Sequence, residues 1–401
     1  MTTIAKPERA LNINSPSALF GVIYLGTIGA AVFIVQPGFV QGLVASFGLT
    51  EQQVGYVASA EVWGIALTTV ALALHGKRTP AFRVVVAAIG VFVLGNLLSL
   101  LTRDPLLFTA CRFLAGLGSG GLVSLTFTQV GLTEKPDRNF GFLIMGVLTY
   151  GALGLWAMPS LIAAIGVEGL IACFALFGAS GLLFVRAVPA SLTDHEVVEA
   201  DAVDLPAAGR WLAVAAMFTY FFAQGVIWAY LFLIGMNAGL LEQQVANGLM
   251  LSQFLGIAGA LVAVLLGNRL GRAGPLAAGV LGGALVLLVL LGPFTAAVYA
   301  LTVCLYNFAW NMTHPFLLAA MASFDRHGRV VTHAVAAQML GLSVGPAFAG
   351  SLLPEGGYTA VIIAGVGLFV LSYLLILVPL VDHWRRLRPA VAATGDPASQ
   401  Q

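Results

Sequence analysis

Charged residues are scarce in this chain. Only 9% of its 401 residues are Asp, Glu, Lys or Arg, while 59% are hydrophobic. Soluble globular proteins carry roughly 25% charged residues, and the mean hydropathy here is +0.96. Because a water-soluble fold of this composition could not cover its surface with polar side chains, the composition excludes a large soluble enzyme and indicates a membrane protein.

Cysteine and recognisable catalytic motifs are also scarce. The three cysteines, Cys111, Cys173 and Cys304, fall in apolar runs without paired spacing, which gives no disulfide framework or metal motif and predicts buried small hydrophobic residues. The phosphate-binding pattern G-x-x-x-x-G-K-[ST] does not occur, and no metal-ligand cluster or nucleophile motif stands out. We therefore expect no enzymatic activity, no metal, no organic cofactor and no nucleic-acid partner.

Twelve apolar runs are long enough to cross a membrane. A membrane-spanning helix needs about 20 mostly apolar residues. With approximate edges, the runs are 17–46, 53–75, 82–101, 106–131, 140–164, 168–187, 211–236, 244–266, 275–292, 295–321, 330–353 and 358–381. Barrel strands alternate over about 10 residues, whereas these runs are continuous. The predicted fold is an all-α membrane protein with twelve transmembrane helices.

The positive charges are distributed very unevenly between the two sides of this arrangement. With alternate loops assigned to the cytoplasm, that side holds sixteen of the eighteen Lys and Arg residues: Lys6, Arg9, Lys77, Arg78, Arg83, Lys135, Arg138, Arg186, Arg210, Arg269, Arg272, Arg326, Arg329, Arg385, Arg386 and Arg388. Cytoplasmic loops carry such an excess. This bias predicts a multi-pass protein of a bacterial cytoplasmic (inner) membrane, with both termini in the cytoplasm. The first run is too long for a cleaved signal peptide, so we expect it to remain as an anchor.

One short segment occurs twice, about half the chain apart. G-L-T-E-Q-Q-V at 48–54 recurs as G-L-L-E-Q-Q-V at 239–245, an offset of 191 residues (239 − 48). Each copy follows the first span of its half and opens the second, and the likeness continues, with one residue inserted, so that Glu61 falls opposite Gln253. Duplicated halves are typical of transporters whose substrate site lies between them near mid-membrane. Chance similarity of two loops is the alternative.

The repeat divides the chain into two six-helix bundles and three polar segments. We predict a cytoplasmic N-terminal tail at 1–16, an N-terminal bundle at 17–187, an acidic cytoplasmic linker at 188–210, a C-terminal bundle at 211–381 and a cytoplasmic C-terminal tail at 382–401. The linker contains the longest hydrophilic segment, which favours a solvated tether over a regulatory binding site.

Several motifs now resemble those of the major facilitator superfamily, over essentially the whole chain. G-N-R-L-G-R at 267–272 is similar to the family's G-x-x-x-D-R-x-G-R loop, with Asn268 where the acid is usual. R-F-L-A-G-L-G-S-G-G at 112–121 resembles the family's Arg-plus-glycine motif, associated with proton-coupled members. Within the superfamily the chain is most similar to the twelve-helix drug and sugar efflux branch. The resemblance implies two pseudo-symmetric bundles, alternating access and proton-coupled efflux.

One motif departs from that branch. Its members usually carry a G-P glycine motif in the fifth helix, where this chain reads G-V-L-T-Y-G-A-L-G-L-W-A-M-P-S without a G-P pair. The G-P form stands in the eleventh helix instead, in G-L-S-V-G-P-A-F-A-G, with Gly341, Gly345 and Pro346. Membership of the superfamily survives this departure, but it weakens the prediction of efflux.

Two charged residues lie within predicted spans. Glu61 is seven residues past Val54 and Arg112 seven past Pro105, so both lie about 10 Å below the outer face and could pair. Intramembrane charges are costly and mark functional sites. One interpretation is a structural bridge between two helices. In the other, Glu61 is a protonation switch, because burial disfavours its charged form and Arg112 favours it.

Polar and aromatic residues form stripes in the second half. Asn307, Trp310, Asn311 and His314 stand at i, i+3, i+4 and i+7, which is one helical face. These groups should avoid lipid, so the stripe predicts a surface that faces protein or a cavity, and His314 is a candidate proton carrier. Interhelical hydrogen bonding without a ligand is the alternative.

Further solute contacts follow from the family resemblance. Helices one, four, seven and ten line the central cavity in the family. This implies solute contacts from the first span and from a stripe at i, i+4 and i+8 in the seventh span. Two further amides are candidate contacts on the side walls. The candidates are Tyr220, Gln224, Trp228, Tyr24, Gln36, Gln253 and Gln338.

A last group of residues is predicted to govern conformational change. Its members lie in the loop motif, at acid–Arg pairs on the cytoplasmic side and in the small-residue motif of the eleventh span: Gly267, Asn268, Arg269, Gly271, Arg272, Asp137, Arg138, Asp325, Arg326, Gly341, Gly345 and Pro346. The acid–Arg pairs are interpreted as latches of the inner gate, although solvated ion pairs are usually weak.

Taken together, the residues predict a monomeric secondary active transporter in the lipid bilayer. It would move a small neutral or amphipathic organic solute, with protons as the coupling ion and efflux as the direction. Proton-coupled uptake is the alternative, and a solute sensor or a membrane enzyme is disfavoured because the loops offer no partner-binding domain and no catalytic motif.

Overall fold

The computed structural model describes residues 13–75, 80–187, 202–267 and 271–394. Regular structure in these residues is helical. In the N-terminal half the helices are α1 (Pro16–Ile34), α2 (Gln36–Phe47), α3 (Glu51–His75), α4 (Ala81–Ser99), α5 (Pro105–Gly131) and α6 (Pro136–Ser180), followed by a short 3₁₀ helix over Gly181–Ala187. The all-α prediction is confirmed.

The C-terminal half repeats this pattern. Its helices are α7 (Ala207–Trp228), α8 (Leu231–Asn237), α9 (Glu242–Leu266), α10 (Ala273–Leu287), α11 (Ala296–Ser323) and α12 (Arg329–Thr394), with a 3₁₀ turn at Leu288–Leu291. The last helix, α12, continues past residue 381 through the basic segment to Thr394, so most of the predicted C-terminal tail is helical. The predicted tail residues 1–12 and 395–401 and the linker residues 188–201 lie outside the described residues.

Each of the twelve predicted spans falls on helical segments. Ten helical stretches of the described chain are long and apolar enough to cross a membrane by length and composition. One of these stretches, Arg138–Arg186, covers two predicted spans. A break in its backbone at Gly166 (φ 68°, ψ 177°) separates the two. The tenth predicted span corresponds to α11, a 28-residue helix that is not among the ten.

Glycine and proline set the breaks within and between spans. Gly166 and Gly357 both adopt positive φ where two helices join, a conformation that glycine adopts without strain. The first span is interrupted at Val35, just before Pro37 in the first turn of α2, because proline cannot donate the backbone hydrogen bond that a continuous helix needs. The first span is therefore built from two helices, α1 and α2, that join beside Pro37.

The helices pack as two groups that meet along two seams. Within the N-terminal half α5 packs on α3 and α4, and within the C-terminal half α12 packs on α7 and α11 on α9. The halves touch mainly where α3 meets α12 and where α6 meets α9, with a smaller contact between α2 and α8. Large apolar side chains cover the outside, among them Leu101, Leu106 and Leu183, as contact with lipid tails requires. Cys173 is exposed on this outer surface, so the expectation that all three cysteines are buried is wrong.

The contact between α3 and α5 depends on glycine. A Cβ atom on Gly116 would lie 2.0 Å from the backbone carbonyl oxygen of Glu61, and one on Gly120 would lie 2.5 Å from that of Ile65. Small residues let membrane helices approach this closely. The four-residue spacing of these two glycines therefore places α3 directly against α5.

Gly116→Ala should destabilise the protein, because the added methyl group forces α3 and α5 apart. Overpacking of this kind costs about 1–3 kcal/mol, and thermal unfolding of the purified protein in detergent measures the loss. Gly90→Ala is the matched control, since nothing lies within 4 Å of a Cβ at Gly90. Equal melting temperatures for the two variants would show that the seam between α3 and α5 is looser than described.

Candidate functional site

A cavity of about 210 Å³ lies between the two halves. Its N-terminal wall is apolar and includes Phe33, Ile34, Val62 and Ile65. All of its side-chain amides, its imidazole and its indoles come from the C-terminal half: Trp228, Gln253, Asn307, Trp310, Asn311, His314 and Gln338. Among the described residues that line the cavity, none is Asp, Glu, Lys or Arg. The cavity therefore offers indoles and uncharged polar side chains from the C-terminal half only.

The stripe predicted on the tenth span reaches this cavity intact. Asn307, Trp310, Asn311 and His314 all line the wall from α11. The Asn311 Nδ2 donates to the carbonyl oxygen and Oδ1 of Asn307, at 3.0 and 2.9 Å, and the Asn307 Nδ2 donates to the backbone oxygen of Ser252 at 2.9 Å. These bonds fix the amides in place. Their role in solute binding stays a prediction.

The stripe predicted on the seventh span is only partly on the wall. Trp228 lines the cavity, but Tyr220 and Gln224 do not. The hydroxyl of Tyr306 donates to Gln224 Oε1 inside the C-terminal half, and Tyr220 packs against Phe369. Eight residues of a helix with about 3.6 residues per turn rotate the side chain by about 80°, which separates Tyr220 from Trp228. Phe221, which the sequence analysis did not select, lines the cavity instead.

The two candidates from the first span also lie away from the cavity. The Tyr24 hydroxyl is 2.7 Å from Ser180 Oγ and its ring packs on Phe177. Gln36 is buried within the N-terminal half, where its Nε2 donates to the backbone oxygen of Ala58 at 3.5 Å. Because each polar group is satisfied inside its own half, neither turns to the cavity. From this span, Phe33 and Ile34 line the cavity instead.

The two side-wall amides line the cavity as expected in position. Gln338 on α12 is tied to α11, since its Oε1 lies 3.1 Å from His314 Nε2. The His314 ring also packs edge-on against Phe221, with centroids 5.0 Å apart. Gln253 on α9 is buried, and neither its Nε2 nor its Oε1 has a hydrogen-bond partner. The cavity thus contains one satisfied polar cluster and one unsatisfied amide.

The two intramembrane charges form a buried ion pair. Arg112 Nη2 lies 2.7 Å from Glu61 Oε1, and Arg112 Nε lies 3.4 Å from Oε2. The remaining amino group of Arg112 donates to Asn96 Oδ1 at 2.8 Å, and its guanidinium carbon stands 5.3 Å from the centre of the Phe39 ring. Glu61 is 2% and Arg112 0% exposed. The pair lies within the N-terminal half, behind the cavity wall formed by Val62.

Hydrogen bonds between the halves gather toward the end of the bundle opposite the termini. The Trp228 Nε1 donates to the backbone oxygen of Phe33 at 3.1 Å, and the Tyr230 hydroxyl to that of Glu51 at 2.8 Å. Ser59 Oγ on α3 donates to the backbone oxygen of Ser343 on α12. Gly55 on α3 lies so close to α12 that a Cβ would come 2.6 Å from the carbonyl oxygen of Pro346. This end of the structure is closed.

The small-residue motif of α12 packs mainly within its own half. A Cβ on Gly341 would lie 2.3 Å from the backbone oxygen of Phe218, and one on Gly345 would lie 2.4 Å from the backbone of Gly225 on α7. Only Pro346 of the three predicted gating residues here faces α3 across the seam. The motif thus joins α12 firmly to α7, so the two helices would move as one body.

The Asp325–Arg326 pair does not join the two halves in this structure. The Arg326 amide donates to Asp204 Oδ1 and its Nε donates to the backbone oxygen of Ala202, both at 3.1 Å. Burial would raise the pKa of Asp325, but backbone amides of the following loop donate to its carboxylate and hold that pKa below its usual range. The pair therefore anchors the end of the linker to the loop between α11 and α12. Its charged groups already have their partners in these two segments.

The other predicted gating residues are described only in part. Gly267 ends α9 and Gly271 precedes α10, each with positive φ, and Arg272 is buried at the N-cap of α10. Arg138 donates to Asn139 Oδ1 at 3.3 Å. Asn268, Arg269 and the side chain of Asp137 lie outside the described residues. A gating role for this group stays a prediction.

Comparison with known proteins adds independent information to this geometry. A gentisate transporter of Corynebacterium glutamicum is 27% identical over 350 residues, covering 79% of this chain and 76% of that protein. The crystal structure of a mutant form of the nucleoside transporter NupG matches with a TM-score of 0.69 and 11% identity, covering 91% of this chain and 99% of that one. The crystal structure of the human organic anion transporter MFSD10 matches with a TM-score of 0.64 and 16% identity, covering 93% and 100%.

The structural matches show the fold, and the relatives are transporters, not enzymes. Resemblance to the efflux branch in particular finds no support among them, since the curated relative is named for gentisate. The sequence pattern of the Major Facilitator Superfamily matches residues 22–325, which is more than half of the chain. The protein is therefore a membrane transporter that belongs to the Major Facilitator Superfamily.

Proposed function

We propose that the protein is a proton-coupled secondary transporter that moves a small neutral or amphipathic aromatic solute by alternating access. The cavity between the halves carries this proposal. It combines the indoles of Trp228 and Trp310, whose centroids are 5.8 Å apart in a T-shaped arrangement, with uncharged amides and an apolar opposite wall. Such a surface favours a flat solute with few polar groups over a multiply charged one.

The size of the cavity and the curated relative support an aromatic solute. A cavity of about 150 Å³ holds benzene, so about 210 Å³ accommodates one substituted ring. Gentisate, after which the relative is named, is an aromatic acid with a single ring. An aromatic acid carries one negative charge, and a cavity whose described lining has no cationic Lys or Arg accepts it best together with a proton.

The buried ion pair is the proposed coupling site. Protonation of Glu61 would remove its charge and leave Arg112 with Asn96 alone. The same helix, α3, lines the cavity through Val62 and Ile65 and meets α12 through Ser59. A change in the pairing of Glu61 would therefore act on both the solute and the closed end. His314 is the second candidate, since it is the titratable residue on the described cavity wall.

Alternating access follows from the seams. The closed end is held by the hydrogen bond and the glycine contact between α3 and α12, by the bond from Tyr230 to α3 and by the bond from Trp228 to α1. Breaking these contacts and forming others at the opposite end would move the solute site from one side to the other. Following the positive-inside bias, we assign the end with the termini to the cytoplasm of a bacterial inner membrane. A monomer suffices for this cycle.

For direction we propose export, on the similarity of the sequence to the efflux branch; proton-coupled uptake is the alternative. An acid that binds together with a proton carries that proton out, so an exporter must take in at least two protons per molecule for a pH gradient to drive it. With that exchange, inside-out membrane vesicles with an acidic lumen should accumulate labelled gentisate. A weak acid that crosses lipid passively collects in the alkaline compartment instead, so the two processes are separable. Vesicles without the protein and vesicles with a protonophore are the controls. Accumulation only in right-side-out vesicles with an alkaline lumen, above those controls, would establish uptake.

Glu61→Gln should abolish accumulation driven by the pH gradient while solute exchange at equal pH continues. The variant keeps the size of the side chain but removes the group that binds the proton. Removing one partner of a buried pair also costs about 3–5 kcal/mol of stability, so thermal unfolding is measured in parallel.

The exposed Arg103–Glu168 pair supplies the control for this experiment. Glu168→Gln should change neither the pH dependence of transport nor, by more than about 1 kcal/mol, the free energy of unfolding. If Glu61→Gln transports with the wild-type pH dependence, the ion pair serves only to pin α3 to α5, and His314 becomes the residue to vary next.

Tyr230→Phe should weaken the closed end, because it removes the hydroxyl that donates to the Glu51 carbonyl. Loss of about 1 kcal/mol shifts an open–closed equilibrium roughly fivefold. The rate at which a membrane-impermeant thiol reagent labels Ser59→Cys, in a chain whose native cysteines are replaced, reports this shift from the outer side. Tyr56→Phe is the control; a similar rate in both backgrounds contradicts a latch at Tyr230.

A further inference from the structure

The unsatisfied amide of Gln253 is the most unusual polar group in the cavity. Its side chain is 0% exposed, and neither Nε2 nor Oε1 has a hydrogen-bond partner. A buried amide left in this state costs about 1–3 kcal/mol. Such a group in a native structure calls for an explanation, and a ligand that completes its hydrogen bonds is one.

Several neighbouring polar groups already have partners. The Nδ2 atoms of Asn307 and Asn311 donate within the protein, and Gln338 Oε1 pairs with His314 Nε2. The Trp228 indole N–H is engaged by the backbone of Phe33. Gln253 is thus the wall residue that presents both a free donor and a free acceptor among those described.

Gln253 also lies at a seam between the halves. Its Oε1 would be 3.2 Å from a Cβ atom on Gly151, which belongs to α6 of the N-terminal half. A solute bound to this amide would therefore touch the site where α6 and α9 meet, and would leave it when the halves separate. The absence of a side chain at Gly151 leaves the amide room to face the cavity.

We propose that the Gln253 amide recognises the solute through paired hydrogen bonds to a planar group with one donor and one acceptor. This inference rests on the proposed transport function and names its substrate class: an aromatic carboxylic acid bound in its protonated form. A protonated carboxyl group accepts from Nε2 and donates to Oε1. A carboxylate can only accept, which leaves Oε1 without a donor and buries a charge in a cavity whose described wall is uncharged.

The aromatic part of the solute has a matching surface. The faces of Trp228 and Trp310 stand on the C-terminal wall, and the opposite wall is apolar. Aromatic rings gain from offset or edge contacts with such indoles as well as from burial. One ring against the indoles and one carboxyl group at Gln253 account for the polar and apolar parts of the cavity together.

Three small probes test this pairing on the purified protein in detergent. Benzamide has a donor–acceptor edge at every pH, benzoic acid has one only when protonated, and methyl benzoate has no donor. Wild-type protein should bind benzamide with little pH dependence. Its apparent affinity for benzoate should fall about tenfold per pH unit above the pKa of the free acid, because the neutral fraction falls by that factor. Methyl benzoate should bind more weakly than benzamide at every pH, because it can accept from Nε2 but cannot donate to Oε1.

Gln253→Leu should weaken binding of benzamide about tenfold or more, since two hydrogen bonds are lost. The same variant should melt at a higher temperature than the wild type without ligand, because leucine leaves no unsatisfied amide. Gln129→Leu is the control, because Gln129 is also a buried amide without hydrogen-bond partners but does not line the cavity, and this variant should retain benzamide binding within a fewfold. A purely structural Gln253 would instead lose stability on substitution.

The outcomes separate this inference from the proposed function. If the wild type moves labelled benzoate in vesicles and Gln253→Leu moves it equally well, the transport function stands and the role of Gln253 is wrong. Binding of benzoate that does not weaken with rising pH overturns the protonated form. If the wild type neither binds nor transports any of the three probes, both proposals fail.

Discussion

The ion pair between Glu61 and Arg112 is the constraint around which the N-terminal half is arranged. Neither charge can face lipid, and each has its partner at 2.7 Å within the same half. To bring the two side chains together, α3 must lie directly against α5, and the glycines at 116 and 120 make that approach possible. Asn96 then brings in α4 by accepting from Arg112. Three helices are thus fixed by one electrostatic requirement, because an unpaired charge at this depth would cost far more than the loss of any single packing contact.

Because α3 is fixed in this way, it can act as a rigid connection between different parts of the molecule. A single turn of the helix carries Ser59 to the α12 seam, Glu61 to Arg112 and Val62 to the cavity. These three contacts are made from different faces of one helix. A disturbance at one of them changes the position of the whole helix, since close packing leaves no slack for a local adjustment. On the other side of the seam α12 is held as tightly to α7, so the halves have rigid faces that can only move as units.

The helices and the cavity-lining face of α11 could be predicted from the sequence. The predictions of cavity contacts that are wrong share one cause. The four residues from Asn307 to His314 span seven positions, an interval over which helical periodicity keeps side chains on one face, and all four line the cavity. Glu61 and Arg112 could be matched by depth alone. The candidates Tyr220, Gln224, Tyr24 and Gln36 follow from the family resemblance, which places the first and seventh spans at the cavity. The hydrogen-bond partners of Gln224, Tyr24 and Gln36 are instead Tyr306, Ser180 and Ala58, in the same half as each candidate. Which helix supplies a partner is a tertiary property that a single sequence does not specify.

The two halves are repeats in sequence, but they contribute different kinds of polar residue to the protein. The N-terminal half holds the buried charges and contributes an apolar wall, whereas the C-terminal half contributes the amides, the imidazole and the indoles of the cavity. In the sequence repeat, Glu61 and Gln253 are counterparts, yet one is neutralised inside its half and the other lies unsatisfied at the cavity. A carboxylate at the second position would bring an unpaired charge to the wall, and an amide at the first would leave Arg112 uncompensated. Each half therefore requires its own residue at this position, and a coupling site kept apart from the recognition site can respond to protons whether or not the solute carries charge.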